Sequence, residues 1–343
     1  MADNSAQPVI GITMGDPVGV GPELICQALA DSAIYQYCRP MVIGDRGVLA
    51  AVQQVMGLDQ TITAIEAPAA ATYEPGRINV LNISRLNAEQ ISWGHPTPAT
   101  SQAMIDYITT GIDKALAGDI SALVTGPINK TAMKMAKSRF HGHTELIAHR
   151  TGAARYAMMM AGRRLRIVLV TIHIPLRQVP QDLSQDRVLE TIKITDDSLK
   201  ERFGIAKPRI AVAGLNPHAG EGDMFGTEES GCITPAVQQA VSQGILAEGP
   251  FPPDTLFFHA VDGPYDAVVC MYHDQGLIPF KMIHFSDGIN TTLGLPIIRT
   301  SVDHGTAYDI AGKGIADPGS LKAAIRIAAD QAIHRQAAQR GSA

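Results

Sequence analysis

The amino-acid sequence predicts an α/β protein built on largely parallel β-sheets that are covered by helices. Short apolar, β-branched runs alternate with longer segments of helical periodicity along the chain. Three of the later apolar runs end at a histidine. The chain has 343 residues, of which 45% are hydrophobic, so it can bury a large core and is expected to form two lobes.

The N-terminal part follows the order strand, glycine-rich turn, helix, strand. "PVIGIT" (8–13) predicts the first strand. The next helix is expected to begin near Pro22, because proline suits the first helical position. "PMVIGD" (40–45) then predicts the second strand.

Two later helices are predicted from their apolar faces. The first stops at Gly118 and leads into the strand "ISALVTGP" (120–127). The second closes the chain, with Ser320 as its expected N-cap. The apolar faces consist of Met104, Ile108, Ile112 and Leu116 in the first helix and of Leu321, Ile325, Ala329 and Ile333 in the second.

The turn "MGDPVGVGPE" (14–23) resembles a dinucleotide-binding fingerprint but does not satisfy it. Asp45 follows the second strand at about the expected interval. Counting from Gly19, however, the third glycine is missing, and Pro22 and Glu23 stand where a helix N-terminus should offer amides to a pyrophosphate. A purely structural turn and a turn that faces a ligand cleft both remain open.

Three strands are predicted to deliver histidines to one edge of a sheet. Taken singly, such a histidine is more often structural than functional. Together, His173, His218 and His273 would lie at the carboxyl ends of strands, where open α/β sheets bind ligands, and three imidazoles can hold a divalent cation with positions left for substrate. The strand segments are "LRIVLVTIHIP" (165–175), "RIAVAGLNPHAGE" (209–221) and "DAVVCMYHDQG" (266–276).

The loop "GLNPHAGEGD" (214–223) is too tight and too polar to serve packing alone. Pro217 and Gly220 are expected to fix its turn, so that His218 points into a cleft. The acidic side chains of the loop can orient the imidazole by contacting the ring nitrogen that does not face the ligand.

Two further segments are candidates for ligand binding. "FHGHTE" (140–145) sets His143 and Thr144 at an expected helix start that suits a phosphate or carboxylate; the alternative is a simple Thr144 N-cap with a solvated His143. "GLPIIRTSVDHGTAYDIAGKG" (294–314) concentrates Gly, Thr, Asp and His beside apolar residues, which favours a ligand-lining loop over an ordinary loop with an Arg–Asp ion pair.

Composition excludes several classes of function. The net charge is −5 and no basic cluster is interleaved with aromatic residues, so no nucleic-acid partner is expected. No stretch approaches the roughly 20 apolar residues that span a bilayer, and the N-terminal stretch lacks the pattern of a signal peptide, so a cytoplasmic protein is expected. Buried thiols are expected for the four cysteines, Cys26, Cys38, Cys232 and Cys270, because no C-x-x-C spacing occurs.

The sequence is similar, nearly from end to end, to the 4-hydroxythreonine-4-phosphate dehydrogenases of pyridoxal phosphate biosynthesis and to their relatives that act on four-carbon sugar-acid phosphates. The motifs that carry the resemblance occur in the family's order. They are "GDPVGVGPE", "LVTGPINK", "GHTE", "TIHIPLR", "GLNPHAGE", "PDTLF", "YHDQG" and "TLGLPIIRTSVDHGTA". One departure is Asp223, since many relatives carry glycine there.

The resemblance implies a two-lobed fold similar to the isocitrate and isopropylmalate dehydrogenases, with the active site in the cleft between the lobes. Residues 1–130 plus 301–343 would form the first lobe, on the cofactor side. Residues 131–300 would form the second lobe, with the metal, substrate and dimer contacts.

The resemblance also implies roles for individual residues. His173, His218 and His273 match ligands of one divalent metal ion (Zn, Mg or Co), with His273 supplied by the other subunit of a homodimer. The phosphorylated substrate would be held by His143, Thr144, Lys281, Asn290 and Arg299. Asp254 matches a carboxylate in the same cleft, and Asp303, His304, Gly305 and Asp309 match a loop that wraps the adenosine of NAD or NADP.

The implied reaction is the oxidation of 4-hydroxythreonine 4-phosphate to a 3-keto acid, which then loses CO₂ to give 3-amino-2-oxopropyl phosphate. The metal would lower the pKa of the substrate hydroxyl, and NAD(P) would accept the hydride. Asp254, Lys281 or a water on the metal could take the proton. The alternatives within the same fold are a D-threonate or D-erythronate 4-phosphate dehydrogenase and a dihydrodiol dicarboxylate dehydrogenase. The last of these would not use the phosphate-binding residues Lys281, Asn290 and Arg299. Outside the dehydrogenases, the alternatives are a metal-dependent phosphate-ester hydrolase and a non-catalytic binding protein.

Overall fold

The computed structural model of the protein describes residues 7–341, and contacts divide the chain into two compact units. The first unit comprises the chain up to Ala154 together with Leu295–Ile333, and the second comprises Arg155–Gly294 together with the chain from His334 on. Residues 1–6 and 342–343, part of the expected first lobe, lie outside the described residues. The units differ from the expected lobes mainly in residues 131–154.

The first unit is built on a parallel sheet. Over the part of the chain that the structure describes, its strands pair in the order β3-β4-β2-β1-β5-β12, and each of these pairs is parallel. The strands are β1 (Val9–Thr13), β2 (Arg39–Gly44), β3 (Thr61–Ile65), β4 (Arg77–Asn82), β5 (Ala122–Thr125) and β12 (Arg299–Val302). In the β1–β5 pair, Thr13 of β1 lies beside Thr125 of β5.

Helices cover this first sheet. They are α1 (Gly21–Leu29), α2 (Arg46–Met56), α3 (Pro98–Leu116), α4 (Lys130–Met135) and α5 (His143–Thr151), with the long C-terminal helix α11 (Gly319–Gly341) beginning in the same unit. Both α4 and α5 pack on α3, and an Arg150–Asp113 ion pair links α5 to α3. These contacts explain why residues 131–154 group with the first unit.

The second unit has a mixed sheet, in the order β11-β6-β7-β10-β8-β9. The β11–β6 and β6–β7 pairs are antiparallel and the remaining pairs parallel. The strands are β6 (Ala157–Ala161), β7 (Arg166–Leu169), β8 (Arg209–Ala213), β9 (Leu246–Phe251), β10 (Ala267–Cys270) and β11 (Ile289–Leu293). The helices are α6 (Val179–Asp182), α7 (Gln185–Phe203), α8 (Thr234–Ser242), α9 (Pro253–Ala260) and α10 (His273–Ile283).

The sequence predictions for regular elements are confirmed, with three local exceptions. All six predicted strands and the helices at Pro22, at 104–116 and at the C-terminus are present. Ser320 is not the N-cap of α11, because the helix already begins at Gly319; its hydroxyl instead accepts the N–H of Asp303. Leu116 is 47% exposed and Ile333 is 44% exposed, whereas the other residues of their two predicted faces are buried.

The cysteines are unpaired thiols, and Cys26, Cys38 and Cys270 are buried as predicted, while Cys232 is half-buried. Within residues 7–341, no helix has the length and apolar character needed to cross a membrane.

Candidate functional site

Three neighbouring parallel strands of the second unit carry the histidines, as the sequence predicts. Strand β10 lies between β7 and β8. His173 follows β7, His273 is the first residue of α10 after β10, and His218 lies in a short helical turn, Pro217–Gly220, after β8. The carboxyl ends of these strands therefore present the three imidazoles at one edge of the sheet.

His173 and His273 lie side by side. Their ring centroids are 5.5 Å apart. The segments that carry them are joined directly, because the Thr171 hydroxyl and backbone N–H both donate to the carbonyl oxygen of Met271, at 2.7 and 3.2 Å. The pair is thus set by the backbone and not only by side-chain rotamers.

The loop that carries His218 has an unusual backbone. Its six residues from 218 to 223 all have positive φ. Four of them are not glycine: His218 (53°), Ala219 (52°), Glu221 (45°) and Asp223 (71°). A non-glycine residue in this region costs about 1–3 kcal/mol and is retained where the surroundings enforce it, which is typical of functional sites. Asp223 lies at a position where glycine would be unstrained.

The chemistry of the histidines suits a divalent cation. His218 Nδ1 lies 2.8 Å from a carboxylate oxygen of Glu221, and His273 Nδ1 lies 2.6 Å from one of Asp274. In a neutral imidazole, a carboxylate partner requires the proton on Nδ1, so Nε2 keeps its lone pair for a metal. Among the described residues of one chain, however, no three His, Cys, Asp or Glu side chains are grouped to hold a metal ion.

The first unit contains a buried cationic subsite. Arg299 on β12 is 3% exposed, and its Nη2 and Nε donate to the Thr125 hydroxyl at 2.8 and 3.2 Å. Burial lowers the pKa of Arg299 to about 10, which still leaves it charged at neutral pH. Burial, together with the charge of Arg299, lowers the pKa of His143 well below its ordinary value. His143 Nε2 is shielded from solvent and has no hydrogen-bond partner in the described chain, so an anionic ligand could be its partner.

The alternative that Thr144 simply caps a helix is wrong. Helix α5 begins at His143 after Gly142, and no side chain caps it. His143 is also not solvated, as that alternative required, because its Nε2 is shielded.

The remaining substrate and catalytic candidates lie in the second unit. Lys281 is on α10 with Nζ 5.6 Å from the centroid of the Phe285 ring. Asn290 is half-buried on β11, beside Met160 of β6. Asp254 is exposed in the first turn of α9. Their roles stay predictions.

Asp16, in the glycine-rich turn 14–23, contacts the loop 303–314 directly. The Tyr308 hydroxyl donates to Asp16 Oδ2 at 2.5 Å, and the Val20 N–H donates to the Thr306 carbonyl oxygen at 3.0 Å. Burial raises the pKa of Asp16. The turn itself needs glycine, since Gly15 has φ +74° and a Cβ there would lie 2.4 Å from the Pro127 carbonyl oxygen.

Glu23 makes the second connection to this loop. It is 1% exposed, and its carboxylate accepts the backbone N–H groups of Gly312 and Gly314, the latter at 2.8 Å. Burial raises the pKa of Glu23. The turn therefore serves to anchor loop 303–314. In that loop His304, Gly305 and Asp309 are exposed, while Asp303 is half-buried.

The dinucleotide interpretation also fails at Asp45. This carboxylate caps α2 through the N–H groups of Gly47 and Val48, and its second oxygen accepts from Ser84 and Leu86. Both oxygens are thus committed to the fold.

The family described as "Pyridoxal phosphate biosynthetic protein PdxA" has a sequence model that matches residues 36–328. The chain belongs to this family. It is 62% identical over 332 residues to a 4-hydroxythreonine-4-phosphate dehydrogenase of Desulforapulum autotrophicum, with 97% of each chain covered. It is 44% identical to a D-threonate 4-phosphate dehydrogenase of Cupriavidus necator, with 96% of this chain and 98% of the relative covered.

A solved PdxA-family structure has the same fold. The 4-hydroxythreonine-4-phosphate dehydrogenase of Klebsiella pneumoniae superposes with a TM-score of 0.88 at 40% identity, covering 96% of this chain and 99% of that one. The resemblance and the α/β fold class predicted from the sequence are both confirmed.

Three contributors to the site were not foreseen from the sequence. Thr125 lies inside a quoted motif, but nothing there distinguishes a hydroxyl that binds Arg299 from one that fills a strand. Tyr308 lies in the predicted ligand loop without a signal of its own. Glu229, which accepts the backbone N–H groups of Leu215 and Asn216 in the loop of His218, is one of two adjacent glutamates.

Proposed function

We propose that the protein oxidises 4-hydroxythreonine 4-phosphate with NAD or NADP and a divalent metal ion, giving a 3-keto acid that decarboxylates to 3-amino-2-oxopropyl phosphate. The relative that is 62% identical carries the corresponding name. The observation that carries the proposal is the buried Arg299 beside His143, whose Nε2 has no partner. Such a pair recognises an anionic group.

In this proposal His143, Thr144 and Arg299 hold the substrate phosphate. The guanidinium supplies a fixed charge and His143 Nε2 a directional contact. Binding energy from the phosphate, which does not react, then positions the reacting carbon. Lys281 and Asn290 stay candidates for further substrate contacts, and Asp254 or Lys281 for proton transfer.

The metal ion would be held by Nε2 atoms of His173, His218 and His273, and when bound it would lower the pKa of the substrate hydroxyl. The carboxylates of Glu221 and Asp274 hold the two rings they contact in the tautomer that binds metal. Zn, Mg and Co are the candidate ions. The cofactor would lie against Asp303, His304, Gly305 and Asp309.

We further propose a homodimer that completes the metal site with a histidine from the second subunit. The second unit exposes an apolar surface on α9 and α10, which includes Phe258 (82% exposed), Met282 (83%) and Phe285 just after α10 (81%). It borders a groove of about 480 Å³. An apolar surface of this kind marks an interface, and α10 is the helix that begins at His273.

Mixing of inactive variants tests the shared site. His173→Ala, His218→Ala and His273→Ala proteins would be mixed in pairs after subunit exchange has been verified. A pair regains activity only when its two histidines come from different subunits in one site. If His273 comes from the second subunit, as the resemblance implies, mixing with either of the other variants should restore activity to His273→Ala. If His173 and His273 of one chain serve the same site, as their 5.5 Å separation allows, the His173→Ala and His273→Ala proteins should not restore each other's activity. No restored pair would refute the shared site.

A second substrate class is favoured by one comparison. A D-threonate 4-phosphate dehydrogenase is 44% identical over nearly the whole chain, and that substrate differs at the amino-bearing carbon. Specificity constants for 4-hydroxythreonine 4-phosphate, D-threonate 4-phosphate, D-erythronate 4-phosphate and unphosphorylated 4-hydroxythreonine separate the two, with NADH or NADPH absorbance as the readout. Equal use of the unphosphorylated compound would refute the role of His143 and Arg299. A cytoplasmic location belongs to the same proposal.

A further inference from the structure

The loop that carries His218 is held by a carboxylate outside it. Glu229 is 4% exposed. Its Oε1 accepts the backbone N–H groups of Leu215 and Asn216, both at 2.7 Å, and its Oε2 accepts Asn216 Nδ2 at 2.9 Å. All three donors precede His218 by two or three residues. The carboxylate therefore holds the backbone just before the left-handed segment, residues 218–223.

The segment also packs closely on the same carboxylate. A Cβ on Gly220 would lie 2.9 Å from Glu229 Oε2, and one on Gly214 would lie 3.1 Å from Glu229 Oε1. Glu229 itself begins a π-helical turn, Glu229–Ile233, before α8. Such turns often occur beside functional residues.

The backbone of residues 218–223 would not hold its conformation without such a support. Left-handed φ values at four non-glycine residues are intrinsically unfavourable. If the anchor is removed, the loop can relax toward right-handed conformations. Because the imidazole of His218 is attached at the first of these residues, that relaxation moves its Nε2.

We propose that Glu229 is a positioning residue that acts through His218, setting where this histidine presents Nε2 to the metal ion. The inference rests on the proposed metal role of His218. It assigns to Glu229 a contribution to metal affinity that is separate from any contribution to folding.

Cobalt binding to chelator-treated protein tests the proposal, because Co²⁺ bound by histidine absorbs visible light and needs no turnover. The variants are Glu229→Ala and Glu229→Gln, with Glu201→Gln as control, since Glu201 forms an ion pair with Arg335 at 2.9 Å elsewhere in the same unit. Glu229→Ala should weaken Co²⁺ binding by about 10–100-fold with an unchanged circular dichroism spectrum. Glu229→Gln keeps one acceptor oxygen and should lose less, and the control should bind as the parent does.

A double-variant cycle separates positioning from general damage. In the His218→Ala background, Glu229→Ala should cause no further loss of Co²⁺ affinity, because its effect passes through the missing ring. Multiplied losses in the double variant, or parental affinity of Glu229→Ala, would overturn the inference. If Glu229→Ala does not fold, Glu229→Gln is carried through the same cycle. Parental affinity of His218→Ala would instead overturn the proposed metal role itself.

Discussion

Two threonines on neighbouring strands allow a matched test of the Arg299 subsite. Thr13 and Thr125 lie side by side in β1 and β5, and both are fully buried. The Thr125 hydroxyl accepts two N–H groups of Arg299, whereas the Thr13 hydroxyl has no hydrogen-bond partner in the described chain. Replacing each by valine removes one hydroxyl at nearly constant volume.

The structure sets the expected magnitudes. Thr125→Val removes an acceptor from a buried charge, and hydrogen bonds to charged groups contribute about 1.5–3 kcal/mol. We expect the free energy of unfolding to fall by that amount. Thr13→Val removes a buried hydroxyl without a partner, so it should leave stability unchanged or raise it. If Arg299 also turns away from the phosphate, KM for the phosphorylated substrate should rise about tenfold, since 1.4 kcal/mol corresponds to a factor of ten.

The assay combines urea unfolding with initial rates for both variants. Thr125→Val should show a lower unfolding midpoint and a higher KM for the phosphorylated substrate, with a smaller change in KM for the nicotinamide cofactor. Thr13→Val should resemble the parent in all three. Equal losses in both variants would show that stability and KM depend on the β1–β5 strand pair and not on the hydrogen bonds from Arg299 to the Thr125 hydroxyl. A Thr125→Val variant with the stability and KM of the parent would refute the role of this contact.

Two other features give predictions about cofactor and phosphate. Glu23→Gln replaces one of the two oxygens that accept the Gly312 and Gly314 N–H groups by an NH2 donor, so loop 303–314 should loosen and KM for NAD(P) should rise several-fold; unchanged cofactor kinetics would contradict the anchoring role. The pKa of His143 is lowered on folding, so its contribution to stability is present above the unfolded pKa of about 6.5 and lost as pH falls. Binding of inorganic phosphate should raise this pKa, so below pH 6.5 the parent should take up more protons on binding than His143→Asn does, which calorimetry in two buffers measures. Equal proton uptake by the two proteins would reject the assignment.

The strands and their histidines could be predicted because their signals are local. An apolar β-branched run followed by a polar turn identifies a strand end, and parallel strands present such ends at one edge. The same reasoning therefore located His173, His218 and His273 without any knowledge of how the strands pair. The pairing order β7-β10-β8 was not in those patterns, because it depends on packing between distant segments.

The supporting contacts could not be predicted, because each joins residues far apart in sequence. Thr125 and Arg299 are 174 residues apart, and Asp16 and Tyr308 are 292 residues apart. The wrong N-cap prediction for α11 has a related reason. Serine is a favoured cap, but the Ser320 hydroxyl is used by the N–H of Asp303, a tertiary contact that no local pattern contains.

The groups that the proposed function needs are held in states that cost free energy, and in each case a buried polar side chain enforces the state. The left-handed turn at His218 is held by Glu229, and the buried charge of Arg299 is contacted by Thr125. A protein that used these residues only for packing would gain stability by relaxing the turn or by replacing the arginine with an apolar side chain. Because natural sequences retain such costs mainly where function needs them, the contacts of Glu229 and Thr125 support a functional interpretation independently of the family resemblance.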